Sequence, residues 1–158
     1  MPRGFTIIEI MVVVAIVAIF AALGVPAMSE MIVASRVRGA SSDFYAALVA
    51  ARSEAIKRRT SATVEPSATY WKTGWKVKVG SNVFQTVDAL PDTITVLPSA
   101  AATTITYSMN GRVTAGAQTV VFYVASVNTI KARCVTIEAN GMPRVRMDSN
   151  GDASDGCN

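Results

Sequence analysis

The sequence predicts an α+β fold: one long N-terminal helix, then an antiparallel β-domain resting on the helix's second half. Three observations carry this. Residues Ile7 to Met28 are almost entirely apolar. Apolar side chains then recur at spacings of three, four and seven as far as Ala55. From Thr60 onward the hydrophobic period falls to two, with turn residues between short runs. With 158 residues the chain has length for one domain and an anchor, not for two independent domains.

The helix comes first. Ile10 to Val25 holds no charged or strongly polar residue, and Ile7 to Met28 as a helix would span roughly 33 Å, matching the ~30 Å hydrocarbon core of a bilayer. A cleaved secretory signal, with Arg3 as its basic region, is the rival. The run is long for that role and opens on a carboxylate, Glu9. Beyond the anchor, Val33, Val37, Phe44, Leu48 and Ala55 form one stripe, with Ala40 and Ala51 filling the gaps. Arg36, Asp43, Arg52, Lys57 and Arg58 fall mostly off it. One helix from near Phe5 to about Arg59 follows. Gly24 and Pro26 interrupt it; Pro26 lacks a ladder hydrogen bond and invites a kink, and two helices joined by a loop are the alternative.

The strands follow. Trp75 to Val79, Asn82 to Val87, Thr93 to Leu97, Thr104 to Tyr107, Thr119 to Val124, Ala132 to Ile137 and Arg144 to Met147 read as strands. Val79-Gly-Ser-Asn, Leu90-Pro-Asp, Asn110-Gly and Asn140-Gly separate them. Trp75 is read as a core or rim aromatic rather than a ligand contact.

Composition narrows the function. Hydrophobic residues make up 51%, charged residues 16%, and the net charge is +4, a surplus that permits contact with phosphates without requiring it. There is no histidine, which removes the commonest general base and zinc ligand and every Ser-His or Cys-His pair. The acids Glu54, Glu65, Asp88, Asp92 and Glu138 are scattered without companions. No enzyme and no cofactor are implied; a membrane-anchored enzyme is the weakest alternative.

Two cysteines, Cys134 and Cys157, stand near the C-terminus. If the domain is exported they would meet an oxidising compartment and close, stabilising the fold by roughly 3 kcal/mol. Two buried free thiols are the alternative. Flanking charges argue against export, since Arg3 precedes the anchor while Arg36, Arg38, Lys57, Arg58 and Arg59 follow it.

Gly4-Phe5-Thr6-Ile7-Ile8-Glu9 sits directly before the apolar run. A carboxylate there is costly, roughly 3 kcal/mol if carried to the bilayer centre, and is retained for a partner. A free amino terminus created nearby would be one, attracting it by about 4 kcal/mol at ~4 Å and an effective dielectric near 20.

This segment resembles the leader and N-terminal helix of type IV pilins and pseudopilins. The resemblance implies cleavage after Gly4 by a prepilin peptidase and N-methylation of the new first residue, Phe5. It implies that Glu9 faces a neighbouring subunit's amine during assembly, and that Gly24 and Pro26 let the helix melt in the filament. It also implies a cytoplasmic leader and an exported globular part, overriding the charge count. Arg36-Val-Arg38, Ala51-Arg-Ser-Glu-Ala-Ile-Lys57, Gly74-Trp75 and Asn110-Gly111-Arg112 are similar to elements of the GspH/FimT group of minor pilins.

The implied organisation is a leader over 1–4, a membrane and filament-core half-helix over 5–28, an amphipathic half over 29–59 and a β-rich domain over 60–158. The implied fold is that of a type IV pilin. The implied protein is a structural minor pilin, near the filament tip, held by a single pass in the inner membrane with its C-terminal domain in the periplasm. Its implied partners are other major and minor pilins, the prepilin peptidase, the inner-membrane assembly platform and the lipid bilayer. The alternatives are a GspH-type pseudopilin of a type II secretion system and a DNA-binding pilin of natural transformation.

The tail supports two further expectations. Gly141-Met-Pro-Arg144-Val-Arg146 resembles the Gly-Arg-x-Arg element of DNA-binding FimT-like pilins, with Met142-Pro143 intruding and Asp148, Asp152 and Asp155 close behind. Arg144 and Arg146 share one face of a strand and could clamp phosphates; a solvated edge strand is the alternative. Asp148, Asn150 and Asp152 supply oxygens at alternate positions, as calcium loops do, but without the distal glutamate; a plain polar loop is the alternative.

Overall fold

Thr6 and Glu9 stand three residues apart, the spacing of a capping box, and helix α1 (Ile7–Arg58) begins between them. The Thr6 hydroxyl accepts a hydrogen bond from the Glu9 amide at 3.3 Å, satisfying a donor that has no partner inside the helix. The structure, a computed structural model, describes residues 5–101, 103–127, 129–149 and 157, with the side chains of 23–27 outside that set. At its far end α1 closes in a Schellman motif. The Thr60 amide donates to the Ala55 carbonyl at 3.2 Å, the Arg59 amide donates to that of Ile56 at 3.3 Å, and Arg59 takes φ 50°.

The chain divides into two units, Met1–Val33 and Ala34–Asn158. In the first, the described apolar side chains from Phe5 to Phe20 all face outward. Among the described residues no helix is long and apolar enough to cross a membrane. The uninterrupted described stretch, 7–22, would span only about 24 Å. The expected span over 5–28 draws on residues 23–27, whose side chains lie outside the described set. The backbone is helical through Gly24 and Pro26, rather than a loop between two helices.

Among its described residues the second unit holds nine strands, all paired antiparallel. They are β1 (Ala62–Pro66), β2 (Trp75–Val79), β3 (Asn82–Val87), β4 (Thr95–Pro98), β5 (Ile105–Tyr107), β6 (Val113–Ala115), β7 (Gln118–Tyr123), β8 (Arg133–Ile137) and β9 (Pro143–Met147). One sheet has the order β3-β2-β1-β5-β6 and the other β4-β7-β8-β9. Both contribute to a core with the second half of α1. Phe44 of the helix lies 5.1 Å edge-on from both Trp71 and Trp75, and 5.6 Å from Phe122 of β7. Ala40, Ala47, Ala51 and Ala55 are buried along the same side, and small residues there let the helix approach the sheets closely. Trp75 is fully buried, a core aromatic.

Three strands depart from the sequence expectation. β1 is central to its sheet, between β2 and β5, yet Glu65 and Pro66 mask its alternation. β6 is too short to show a period. β4 starts two residues later than expected because the Ile94 amide folds back onto the Pro91 carbonyl at 3.0 Å, making 91–94 a turn.

Candidate functional site

The residues singled out in the sequence fall into three places. At the N-terminus Phe5 is 77% exposed and Glu9 is exposed one turn into α1. Gly4 lies outside the described residues. Besides its expected role, Glu9 sits at the third helical position, where an acid favours the helix dipole. The Thr6-x-x-Glu9 spacing could have revealed this.

The second place is the C-terminal sheet. Cys134 and Cys157 are joined by a disulfide with Cα atoms 6.1 Å apart, and Cys157, like Tyr123, packs against the buried cluster of Val121, Ala132 and Cys134. Arg144 and Arg146 alternate with Val145 on β9, opposite Thr136 and Cys134 of β8, so both project from one face. β9 is the edge of its sheet. Both arginines are exposed, and neither side chain forms a hydrogen bond or ion pair among the described residues. Next along the chain, the Asp148 side chain is fully buried and its amide donates to the Ala132 carbonyl at 3.0 Å. Asn150 and Asp152 lie outside the described residues. Among the described residues no three metal-ligating side chains come together.

The third place was not foreseen as a unit. Arg52 of α1 donates through Nε to the Gly111 carbonyl at 3.0 Å and through Nη1 to the Met142 sulfur at 2.8 Å. It thereby ties the helix to the two Asn-Gly turns. The turns lock each other: a Cβ on Gly141 (φ 80°) would meet the Gly111 carbonyl oxygen at 1.9 Å. The motifs were visible in the sequence, but nothing in their spacing says that they meet. Six residues further along α1, Arg58 donates to Glu54 at 2.6 Å, and this bond, aided by Lys57, holds the Glu54 carboxyl below its ordinary range.

A long N-terminal helix packed on antiparallel sheets, headed by a processing-type motif, defines the type IV pilin class. Two crystal structures of the Pseudomonas aeruginosa (strain PAO1) type IV minor pilin FimU share this fold. One, in space group P21, aligns with a TM-score of 0.63 at 20% identity over 78% of this chain and 96% of that one. The other, in P65, gives 0.60 at 20% identity over 77% and 99%. The model of the prokaryotic N-terminal methylation motif matches residues 2–25. The family model described as type II transport protein GspH matches residues 40–141. The chain belongs to the GspH family. The family and these structural neighbours are pilin-type structural subunits, not enzymes. A comparison with curated protein sequences gives no significant match.

Proposed function

We propose that this chain is a minor pilin of a type IV pilus, stored in the inner membrane by one helical pass with its globular domain in the periplasm. Prepilin peptidase cuts between Gly4 and Phe5 and methylates Phe5, and the assembly platform then moves the helix into the filament, at or near its tip. The observation that carries this reading is the methylation motif followed by a helix whose described apolar side chains, from Phe5 to Phe20, face outward. Such a surface is costly in water and stable against lipid or other helices. A GspH-type pseudopilin of a type II secretion system would use the same features; likeness to a pilus subunit favours the first reading.

Glu9→Ala tests the assembly step. The variant is expected to be processed and membrane-inserted, since removing a charge favours the bilayer, but depleted from sheared filaments. Wild-type recovery in filaments would contradict the role given to Glu9.

A second reading adds DNA, favoured by Arg144 and Arg146 projecting unpaired from one face of an edge strand. They would act as phosphate contacts, so affinity should fall with salt at a slope near −0.9 per contact on duplex DNA. Replacing both by Gln should flatten that slope and weaken all sequences alike. Titration of the detergent-solubilised chain with random-sequence duplex at two salt concentrations decides it; unchanged binding by the double variant removes these arginines from the account.

A further inference from the structure

Met142 is half exposed, yet its sulfur carries a charged partner: the Arg52 guanidinium donates to it through Nη1 at 2.8 Å. Met109 and Met147 are comparably exposed, and among the described residues no donor reaches either sulfur. Both ends of the Arg52–Met142 contact are held in place. Arg52 is anchored through Nε on the Gly111 carbonyl at 3.0 Å. The Met142 amide donates to the Asn140 side chain at 2.9 Å, and the Gly141 amide to the Glu138 carbonyl at 2.9 Å. The Val113 amide joins the two turns through the Ala139 carbonyl at 3.2 Å. Beside the pair runs a groove of about 330 Å³, lined by both residues and by Tyr45, Val49 and Pro143, so the sulfur is open to a small solute. No carboxylate lines that groove to compete for Arg52 among the described residues.

A thioether is a weak acceptor, so a charged donor aimed at it gains little. A sulfoxide oxygen is polar, and a bond to it from a guanidinium is charge-assisted. The partner that an oxidised Met142 needs is therefore in place before oxidation occurs. We propose that Met142 is a site of reversible sulfoxidation, its oxygen received by Arg52, and that the modification tightens the tie between α1 and the two Asn-Gly turns. The oxidant is hydrogen peroxide. A sulfur lone pair attacks one peroxide oxygen, the S–O bond forms and the O–O bond breaks. Sulfur loses two electrons, the peroxide is reduced, and the leaving hydroxide takes the proton of the transferred oxygen and departs as water. Arg52 engages one lone pair and leaves the other open; rotation within the flexible methionine side chain then brings the oxygen to the guanidinium. A sulfoxide reductase restores the thioether with two thiols, which become a disulfide as the oxygen leaves in water. Sulfoxidation ordinarily disrupts apolar contacts. Here the oxygen emerges at a cation beside an open groove, and the sign reverses.

The test treats the detergent-solubilised full-length chain with hydrogen peroxide, maps oxidised methionines by peptide mass spectrometry, and follows melting by near-ultraviolet circular dichroism. Met142→Leu, treated alongside, carries the contribution of every other methionine. The expected result is sulfoxide at Met142, and a wild-type melting temperature that changes on oxidation by about 2–4 °C more in the stabilising direction than that of Met142→Leu. In Arg52→Gln the extra gain should vanish or turn into a loss. Where Arg52→Gln does not fold, the comparison of wild type with Met142→Leu decides alone. An unmodified Met142 while Met109 and Met147 are oxidised overturns the proposal. So does an oxidation shift in wild type equal to or below that of Met142→Leu, or a gain that persists in a folded Arg52→Gln.

Discussion

Tyr107 concentrates the residue-scale physics of the domain. Its ring is fully buried and its hydroxyl has no hydrogen-bond partner among the described residues. Burial pushes the phenol from its ordinary 10.0 up to about 12, although the nearby Arg52 charge acts in the opposite direction. An unfolded tyrosine ionises near pH 10, so the buried neutral phenol's contribution is fully present below that pH and is lost as pH rises towards 12. Tyr107→Phe should therefore melt within a few degrees of wild type at pH 7 and gain progressively over it between pH 10 and 12, followed by circular dichroism. A gap between the two melting temperatures that stays constant with pH would contradict this account. Glu54 has the opposite sign. Its carboxyl is held low by Arg58, so its contribution is present above the ordinary carboxylate range and fades as pH falls through it.

At the scale of elements, much of the molecule was legible because its periods are long or clean. The stripe through Val37, Phe44, Leu48 and Ala55 is the buried face of α1, and the Trp75, Asn82, Thr119 and Arg133 strands lie where alternation put them. β1 and β6 escaped because one carries Glu65 and Pro66 and the other spans three residues. Disulfide partners were readable by counting, since the chain holds two cysteines. The Arg52 junction was not, because which turn packs on which helix face is a tertiary outcome rather than a local pattern. One local rule is broken where α1 ends: Arg59 occupies the left-handed position that glycine fills without strain. Arg59→Gly should stabilise the domain by about 0.5–1 kcal/mol, measured by denaturant unfolding, since the side chain's steric cost disappears. Destabilisation would mean that the arginine side chain contributes more than its backbone conformation costs.

At the scale of the whole molecule the two units have different solvents in view. The Ala34–Asn158 unit closes its own core around Phe44, Trp75 and Phe122, whereas the described side chains of the first unit bury nothing comparable. A helix that exposes Ile7, Met11, Val14 and Phe20 needs an apolar surround, which in the proposed function is lipid first and neighbouring helices afterwards. The measurement that tests this most directly is the intact mass of the chain recovered from sheared filaments of its host. The account predicts a chain that begins at Phe5 and carries one additional methyl group. A chain in those filaments that still begins at Met1, or the absence of the chain from filaments altogether, would contradict it.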